Sequence, residues 1–97
     1  MHEQAKQFIA AVKENAAKCW DQPDDKDFIE KLLYVYEFPN GSVSISDNFE
    51  KFFSIMYRVD KDGNWFVRRM YSDEPADQEK PYTFECAMSD ASIMYTG

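Results

Sequence analysis

The sequence predicts an α+β fold, in which an N-terminal amphipathic helix and a short second helix pack on an antiparallel β-meander of about five strands. Three observations lead to this prediction. Apolar residues recur at helical spacing over residues 3–20, and turn motifs at 39–41 and 60–64 each separate two strand-like runs. The strand-like runs also follow one another at hairpin distance, which leaves no room for the crossover that parallel strands need.

The N-terminal helix is predicted over residues 3–20. Lysines and glutamates occupy its other faces, and neither Gly nor Pro interrupts the segment. Pro23 disfavours the helical conformation in the residue before it and so ends the helix. The residues of the predicted buried face are three or four positions apart; they are Ala5, Phe8, Ile9, Val12, Ala16, Cys19 and Trp20.

A short second helix is predicted over residues 24–31, where Asp24 or Asp25 provides the N-cap and acidic residues suit the helix dipole. The segment 32–38 has two interpretations. Its apolar residues continue the helical spacing, yet the segment is rich in aromatic strand formers. We favour a strand in a hairpin over residues 32–46, because Pro-Asn-Gly at its centre is typical of a tight turn.

A second hairpin is predicted from two apolar-rich runs, 52–59 and 65–71, on either side of the loop Asp60–Asn64. An exposed acidic loop bounded by prolines is predicted over residues 73–81. The last strand is predicted at Tyr82–Met88, where apolar and polar residues alternate. The remaining residues are expected to fray or to lie on the sheet edge.

Composition predicts one compact domain over residues 1–97. Eighteen acidic residues against eleven basic ones give a net charge of −7, and 16% of the residues are aromatic. The aromatic content suffices for a folded core, while the charge repels nucleic acid and anionic membranes. No apolar run reaches the length of a membrane span, and the first residues lack the features of a secretory signal, so a cytoplasmic protein is expected.

The sequence offers no catalytic constellation. His2 is the one histidine and is expected to be mobile, which leaves no Ser-His or Cys-His pair. The loop Asp60–Asn64 has its glycine fourth, whereas an EF-hand calcium loop needs it sixth, so a hairpin turn is predicted. Cys19 and Cys86 are predicted to be buried reduced thiols, with a disulfide as the alternative. We therefore expect neither enzyme activity nor a metal or other cofactor.

Three groups of residues are candidate partner-binding sites. Two are acidic clusters: one comprises Asp21, Asp24, Asp25, Asp27 and Glu30, and the other comprises Asp73, Glu74, Asp77 and Glu79. The third lies in the second hairpin and comprises Arg58, Arg68, Arg69, Trp65 and Tyr71. Arg, Tyr and Trp are enriched at protein-binding hot spots. The alternative for all three groups is a solvated surface whose charges pair across strands or favour helix starts.

In size and charge the chain resembles the small acidic inhibitors carried by phages and other mobile elements, which include anti-CRISPR proteins and DNA mimics. It also resembles toxin immunity proteins. The resemblance implies a non-enzymatic protein that binds a partner with a basic surface, such as a nuclease or a nucleoprotein complex, because opposite charge accelerates association. Direct binding to nucleic acid or to a membrane is not expected, and a homodimer is compatible with the sequence.

The alternative function is that of a small-ligand-binding module. A helix packed against a curved meander can enclose an apolar pocket with a few polar groups. The aromatic and sulfur-containing side chains predicted to line such a pocket are Tyr34, Tyr36, Tyr57, Trp65, Phe84 and the methionines.

Overall fold

The computed structural model describes residues 1–19, 32–47, 55–69 and 79–93. Five strands form one antiparallel sheet in the order β1-β2-β3-β4-β5, which is the predicted meander. The α+β fold is therefore confirmed. In chain order, the elements are α1 (Glu3–Cys19), β1 (Leu33–Glu37), β2 (Val43–Asp47), β3 (Ile55–Val59), β4 (Trp65–Arg69), β5 (Lys80–Tyr82) and α2 (Phe84–Ile93).

Helix α1 packs its predicted apolar face on the sheet. Phe8, Val12 and Ala16 are fully buried. The ring centroid of Phe8 lies 4.7 Å from that of Tyr57 and 5.4 Å from that of Trp65. The helical spacing of the sequence therefore predicted the correct face, since a surface helix buries the side that carries its apolar stripe.

The start of α1 is held by His2, for which the sequence predicts mobility. His2 Nδ1 accepts a 3.1 Å hydrogen bond from the backbone N–H of Gln4. The imidazole also lies against Gly63, where an added Cβ would come within 3.1 Å of His2 Nε2. Gln4 Oε1 accepts a 2.9 Å hydrogen bond from Trp65 Nε1. These contacts tie the helix start to strand β4 and to the turn before it.

Both predicted hairpins are present, and their turns share one geometry. In the first, Phe38 donates its N–H to Ser42 O at 2.8 Å and accepts from the Gly41 N–H at 3.0 Å. The loop Asp60–Asn64 of the second hairpin repeats this pattern at 3.0 and 3.1 Å. Gly41 and Gly63 have φ angles of 90° and 86°, a left-handed conformation that glycine adopts without a Cβ penalty. The segment 32–38 contains strand β1, so the strand interpretation of this segment is confirmed.

The end of the chain differs from the prediction of a last strand at Tyr82–Met88. Tyr82 ends strand β5, and helix α2 starts at Phe84. The predicted acidic loop is likewise wrong at its end, because Lys80–Tyr82 pairs with β4. Pro81 lies within this edge strand, a position where its missing N–H does not interrupt a ladder.

Helix α2 forms because its buried residues have helical spacing. Ala87 and Ala91 are four positions apart and fully buried, and α2 packs against α1. Thr83 caps the helix, since its Oγ1 accepts a 3.1 Å hydrogen bond from the Cys86 N–H. Residues 89–93 are consequently helical, and the prediction that they fray or follow the sheet edge is wrong.

Cys86 is exposed on α2 and has a free thiol. The prediction that it is buried in a strand is therefore wrong, and it forms no disulfide with Cys19. Within the described ranges, no helix has the length and apolar character needed to cross a membrane. Several predicted features fall outside the described residues: Trp20, the helix at 24–31, residues 52–54 and 70–71, most of the acidic loop at 73–78, and the tail 94–97.

Candidate functional site

The two faces of the sheet differ, and the face turned away from the helices is the candidate site. Side chains that alternate along the strands are buried on the helix side, where Tyr57 contacts Phe8 of α1 and hydrogen-bonds Asp90 of α2. We call the opposite side the outer face. The strand registers place on it Tyr34, Tyr36, Ser44, Ser46, Met56, Arg58, Phe66, Arg68 and Pro81.

Arg58 lies at the centre of the outer face and is fixed by three neighbours. Its guanidinium binds Glu79 in a bidentate arrangement, with Nε–Oε1 at 2.7 Å and Nη2–Oε2 at 2.9 Å. Its Cζ lies 4.4 Å from the ring centroid of Phe66, the residue opposite it on β4. Its Nη1 lies 3.4 Å from Ser42 Oγ. The planar guanidinium suits both the carboxylate and the aromatic ring.

The ion pair between Arg58 and Glu79 shifts the pKa values of both side chains. Hydrogen bonding to Glu79 raises the pKa of Arg58 above its ordinary value. Hydrogen bonding from Arg58 lowers the pKa of the Glu79 carboxyl. Glu79 is the one predicted acidic-cluster residue within the described ranges, and its charge is neutralised by an arginine on the same surface.

Replacement of Glu79 by Gln should remove an acid-sensitive contribution to stability. Because the folded-state pKa of Glu79 is lowered, the contribution is present above the unfolded value of about 4.3 and is lost as pH falls through the folded-state pKa. Solvent screens the pair, so we expect about 1 kcal/mol or less at pH 7. Denaturant titrations at pH 3, 5 and 7 measure the difference. Glu14→Gln is the matched control, because its pair with Lys18 is more exposed; an equal loss in both variants would contradict a specific role for Glu79.

Three aromatic side chains near the first turn are open to solvent. The exposed fractions are 64% for Tyr34, 59% for Tyr36 and 40% for Phe38. Tyr36 and Phe38 pack edge to face with their ring centroids 4.8 Å apart. Burial of an aromatic side chain removes a large apolar area from water, which is favourable. A group of exposed rings on a sheet therefore marks a surface suited to binding.

Of the other two predicted arginines, Arg68 is the one whose side chain the structure describes. Arg68 is exposed on the outer face, opposite Met56 on β3. Arg69 pairs with Ile55 in the register, and its side chain lies outside the described part of the chain. The outer face thus combines Arg58 and Arg68 with Phe66, on strands β3 and β4.

Trp65 does not contribute its side chain to this surface. It is only 3% exposed and lies on the helix side, where its indole N–H donates to Gln4. The prediction that Trp65 is a contact residue together with Arg58 and Arg68 is therefore wrong. Neighbouring residues in a strand point to opposite faces of the sheet. Tyr71 and the cluster residues Asp21, Asp24, Asp25, Asp27, Glu30, Asp73, Glu74 and Asp77 lie outside the described residues.

The acidic excess of the chain is unevenly distributed. The described ranges contain nine acidic and eight basic residues, whereas the rest of the chain contains nine acidic and three basic residues. The described surface is therefore close to neutral, and most of the net charge of −7 belongs to residues 20–31, 48–54 and 70–78.

The loop Asp60–Asn64 is the predicted hairpin turn. Asp60 Oδ1 accepts hydrogen bonds from the N–H groups of Asp62 and Asn64, both at 2.9 Å. Asp60 Oδ2 accepts from Asn64 Nδ2 at 2.9 Å. The Asn64 backbone bond contributes most to a lowered pKa of Asp60. Among the described residues, no three His, Cys, Asp or Glu side chains converge as a metal site would require.

A cleft of about 400 Å³ lies where β4, β5 and the start of α2 meet. Trp65 and Phe84, two of the predicted pocket residues, line it with ring centroids 5.7 Å apart. Phe66 and Tyr82 complete the aromatic part of the lining. The other predicted pocket tyrosines lie elsewhere, because Tyr34 and Tyr36 are on the outer face, Tyr57 is buried in the core, and no described methionine lines the cleft.

Asp90 on α2 joins two strands through a hydrogen-bond cluster that the sequence did not suggest. Asp90 Oδ2 accepts from Tyr57 Oη at 2.8 Å and from Tyr82 Oη at 2.6 Å. Burial and then these bonds raise the pKa of both tyrosine hydroxyls above their ordinary range. The cluster therefore holds both phenols protonated and ties α2 to β3 and β5.

Comparisons of the chain with protein families, with curated proteins and with solved structures give no match.

Proposed function

We propose that the protein is a non-enzymatic binding protein that contacts a basic partner protein through its outer face. The observation that carries the proposal is the exposure of Tyr34 and Tyr36 on the same sheet face as Arg58 and Arg68, a face that no described helix covers. Tyrosine and arginine contribute disproportionately to protein interfaces, because each buries a large area and retains hydrogen-bonding groups.

The fixed geometry of Arg58 supports the same proposal. Its bonds to Glu79 and its contact with Phe66 hold the guanidinium in one position before a partner arrives. A side chain that is already ordered loses less conformational entropy on binding than a free one. Arg58 and Phe66 then provide a rigid centre, and Arg68 and the exposed tyrosines provide its surroundings.

The charge of the chain supports a basic partner. The net charge of −7 raises the association rate with a positively charged protein, and salt weakens that effect. A partner that handles nucleic acid, such as a nuclease or a nucleoprotein complex, presents a surface of this kind. We propose inhibition of such a partner, by occupation of its nucleic-acid-binding surface, as the activity. A toxin immunity protein would act in the same way on a toxin.

Affinity capture with immobilised protein tests this proposal. We expect a basic protein to be retained from a bacterial lysate at low salt and released as the salt concentration rises. Tyr36→Ala and Arg68→Ala should each weaken binding of the purified partner by about tenfold or more, as truncation of a hot-spot side chain does. Neither should change Tm appreciably, because both side chains are exposed.

The matched control is Lys6→Ala, which makes the same charge change as Arg68→Ala at an exposed position on α1. It should alter affinity by less than about twofold, apart from a small general electrostatic effect. An equal gain in affinity in Lys6→Ala and Arg68→Ala would show that only net charge matters, because both substitutions make the chain more negative toward a basic partner. Retention of an acidic protein, or binding unaffected by both outer-face substitutions, would contradict the proposal.

The cleft favours a second candidate function, the binding of a small aromatic or apolar ligand. Its volume of about 400 Å³ lies within the range of small-molecule sites. The aromatic rings and the polar side chains of Gln4, Asn64 and Glu85 line it together, so the cleft offers both stacking surfaces and hydrogen-bonding groups. A thermal-shift screen with small aromatic compounds distinguishes the two functions, because a ligand that binds only the folded state raises Tm in proportion to its concentration over Kd.

A further inference from the structure

We propose that a second copy of this chain pairs with the free edge of β1, so that two sheets join as one continuous antiparallel sheet. Among the described strands, β1 has one neighbour, β2, and its other edge is unpaired. Tyr34 and Tyr36 on one face and Val35, which is 38% exposed, on the other are all accessible. An exposed edge strand of this composition is a template for strand addition.

The hydrogen bonds of the first hairpin determine which backbone groups face the free edge. Phe38 donates its N–H to Ser42 across the hairpin. Hydrogen-bonded and non-hydrogen-bonded pairs alternate in an antiparallel ladder, so the pairs of Tyr36 and Tyr34 with β2 are also hydrogen-bonded. The N–H and C=O groups of Leu33, Val35 and Glu37 therefore point outward. An incoming strand can bond to these three residues.

The central Tyr-Val-Tyr of β1 is symmetric about Val35, which favours a second copy over an unrelated strand. In an antiparallel pairing centred on Val35, this residue faces its own copy through an outward-facing, hydrogen-bonding pair. Each Tyr34 then lies opposite the Tyr36 of the other copy, and each Leu33 lies opposite the other Glu37. Such a contact is self-complementary, as a two-fold dimer interface requires, and it creates two cross-strand aromatic pairs.

Charge is compatible with this pairing. Glu37 is the one charged residue in β1, and the proposed register places it opposite leucine instead of its own copy. The amino group of Met1 lies 3.5 Å from the Glu37 carboxylate. The other edge of the sheet, β5, contains Lys80 and Pro81, which discourage strand addition. Within the described part of the chain, the sheet therefore has one blocked edge and one edge that is open to pairing.

Sedimentation equilibrium of the purified chain tests the proposal. A five-residue strand pair is small for an interface, so dimers should accumulate at concentrations on the order of 100 µM. Added salt should strengthen the dimer, because it screens repulsion between two copies of charge −7. Salt should weaken binding of a basic partner, so failure of the dimer and failure of the proposed function give different results.

Val35→Pro should abolish the dimer, because it removes an outward N–H while leaving the N–H groups that bond to β2. Val35→Lys places a charge at the centre of the contact and should also abolish the dimer. It is the variant to test if Val35→Pro does not fold. Val35→Thr, which keeps the N–H and the β-branched shape, should dimerise within about twofold of the original chain.

A wild-type chain that stays monomeric to about 1 mM at high salt would overturn the proposal, as would equal dimerisation of Val35→Pro and Val35→Thr. A monomeric chain whose capture of a basic partner is lost in Val35→Pro would overturn it as well, and would assign the edge to a strand of that partner. Salt-strengthened dimerisation that Val35→Pro and Val35→Lys both abolish would support it.

Discussion

Replacement of Val12 by Asp should unfold the protein. Val12 is fully buried between α1 and the sheet. The substitution loses the burial of a valine, which contributes about 1.5–3 kcal/mol, and it adds an unpaired carboxylate in an apolar interface, which costs several more. Domains of this size have a total stability of about 5–15 kcal/mol. Circular dichroism at 25 °C should show loss of the native structure, and a thermal scan should show no cooperative transition.

Ala10→Asp is the control, because Ala10 is exposed on the same helix and the added side chain is identical. It should cost less than about 1 kcal/mol, mainly through lower helix propensity. If the Val12 variant melts at the temperature of the original chain, the buried face of α1 is wrongly assigned, and with it the identification of the outer face as the side of the sheet turned away from the described helices.

Replacement of Asp90 by Ala should cause the second-largest loss of stability. The change removes the acceptor of two tyrosine hydroxyls. Hydrogen bonds to charged groups contribute about 1.5–3 kcal/mol each, and the Tyr57 hydroxyl is too deeply buried for water to replace the lost bond fully. We expect a loss of about 2–4 kcal/mol, which lowers Tm by roughly 10 °C or more.

The conservative variant Asp90→Asn retains an acceptor oxygen and should lose less. A double-mutant cycle of Asp90→Ala with Tyr57→Phe should be non-additive, because each change disrupts the same bond. Stability should also fall above about pH 10, where unfolded tyrosines ionise and the folded ones remain protonated. Additive losses in the cycle would contradict an energetic role for the cluster.

Local sequence patterns predicted the parts of the fold that depend on local chemistry. The spacing of Phe8, Val12 and Ala16 identified the buried face of α1. The glycines at positions 41 and 63 identified both turns, because each provides the left-handed residue that a three-residue hairpin loop needs. In α1 the dominant requirement is burial of an apolar stripe, and in the turns it is a left-handed backbone conformation. Each requirement can be recognised within a few residues of the chain.

Helix α2 was missed because its first residues satisfy two periods at once. Phe84, Cys86 and Met88 alternate with other residues as in a strand, while Phe84, Ala87, Met88 and Ala91 have the spacing of a helix. Contact with α1, which is distant in sequence, decides between the two. The signals that favoured the helix were Thr83 at the cap position and the small residues Ala87 and Ala91.

The candidate site was predicted in its composition but not in its arrangement. Strand alternation alone separates Trp65 from Arg68, and it places Arg58, Phe66 and Arg68 together once the register is known. The exposure of Tyr34 and Tyr36 depends on which face of the sheet the helices cover. That choice is made by packing between distant segments, so no local pattern reveals it.

Hydroxyl-radical footprinting of the protein, free and bound to its captured basic partner, tests the central claim most directly. The outer-face hypothesis predicts reduced oxidation of Tyr34, Tyr36 and Met56 in the complex, with unchanged oxidation of Met88 on α2. Protection of Met88 with no change at the two tyrosines would contradict it, because the partner would then bind the helix side of the protein and leave the outer face free.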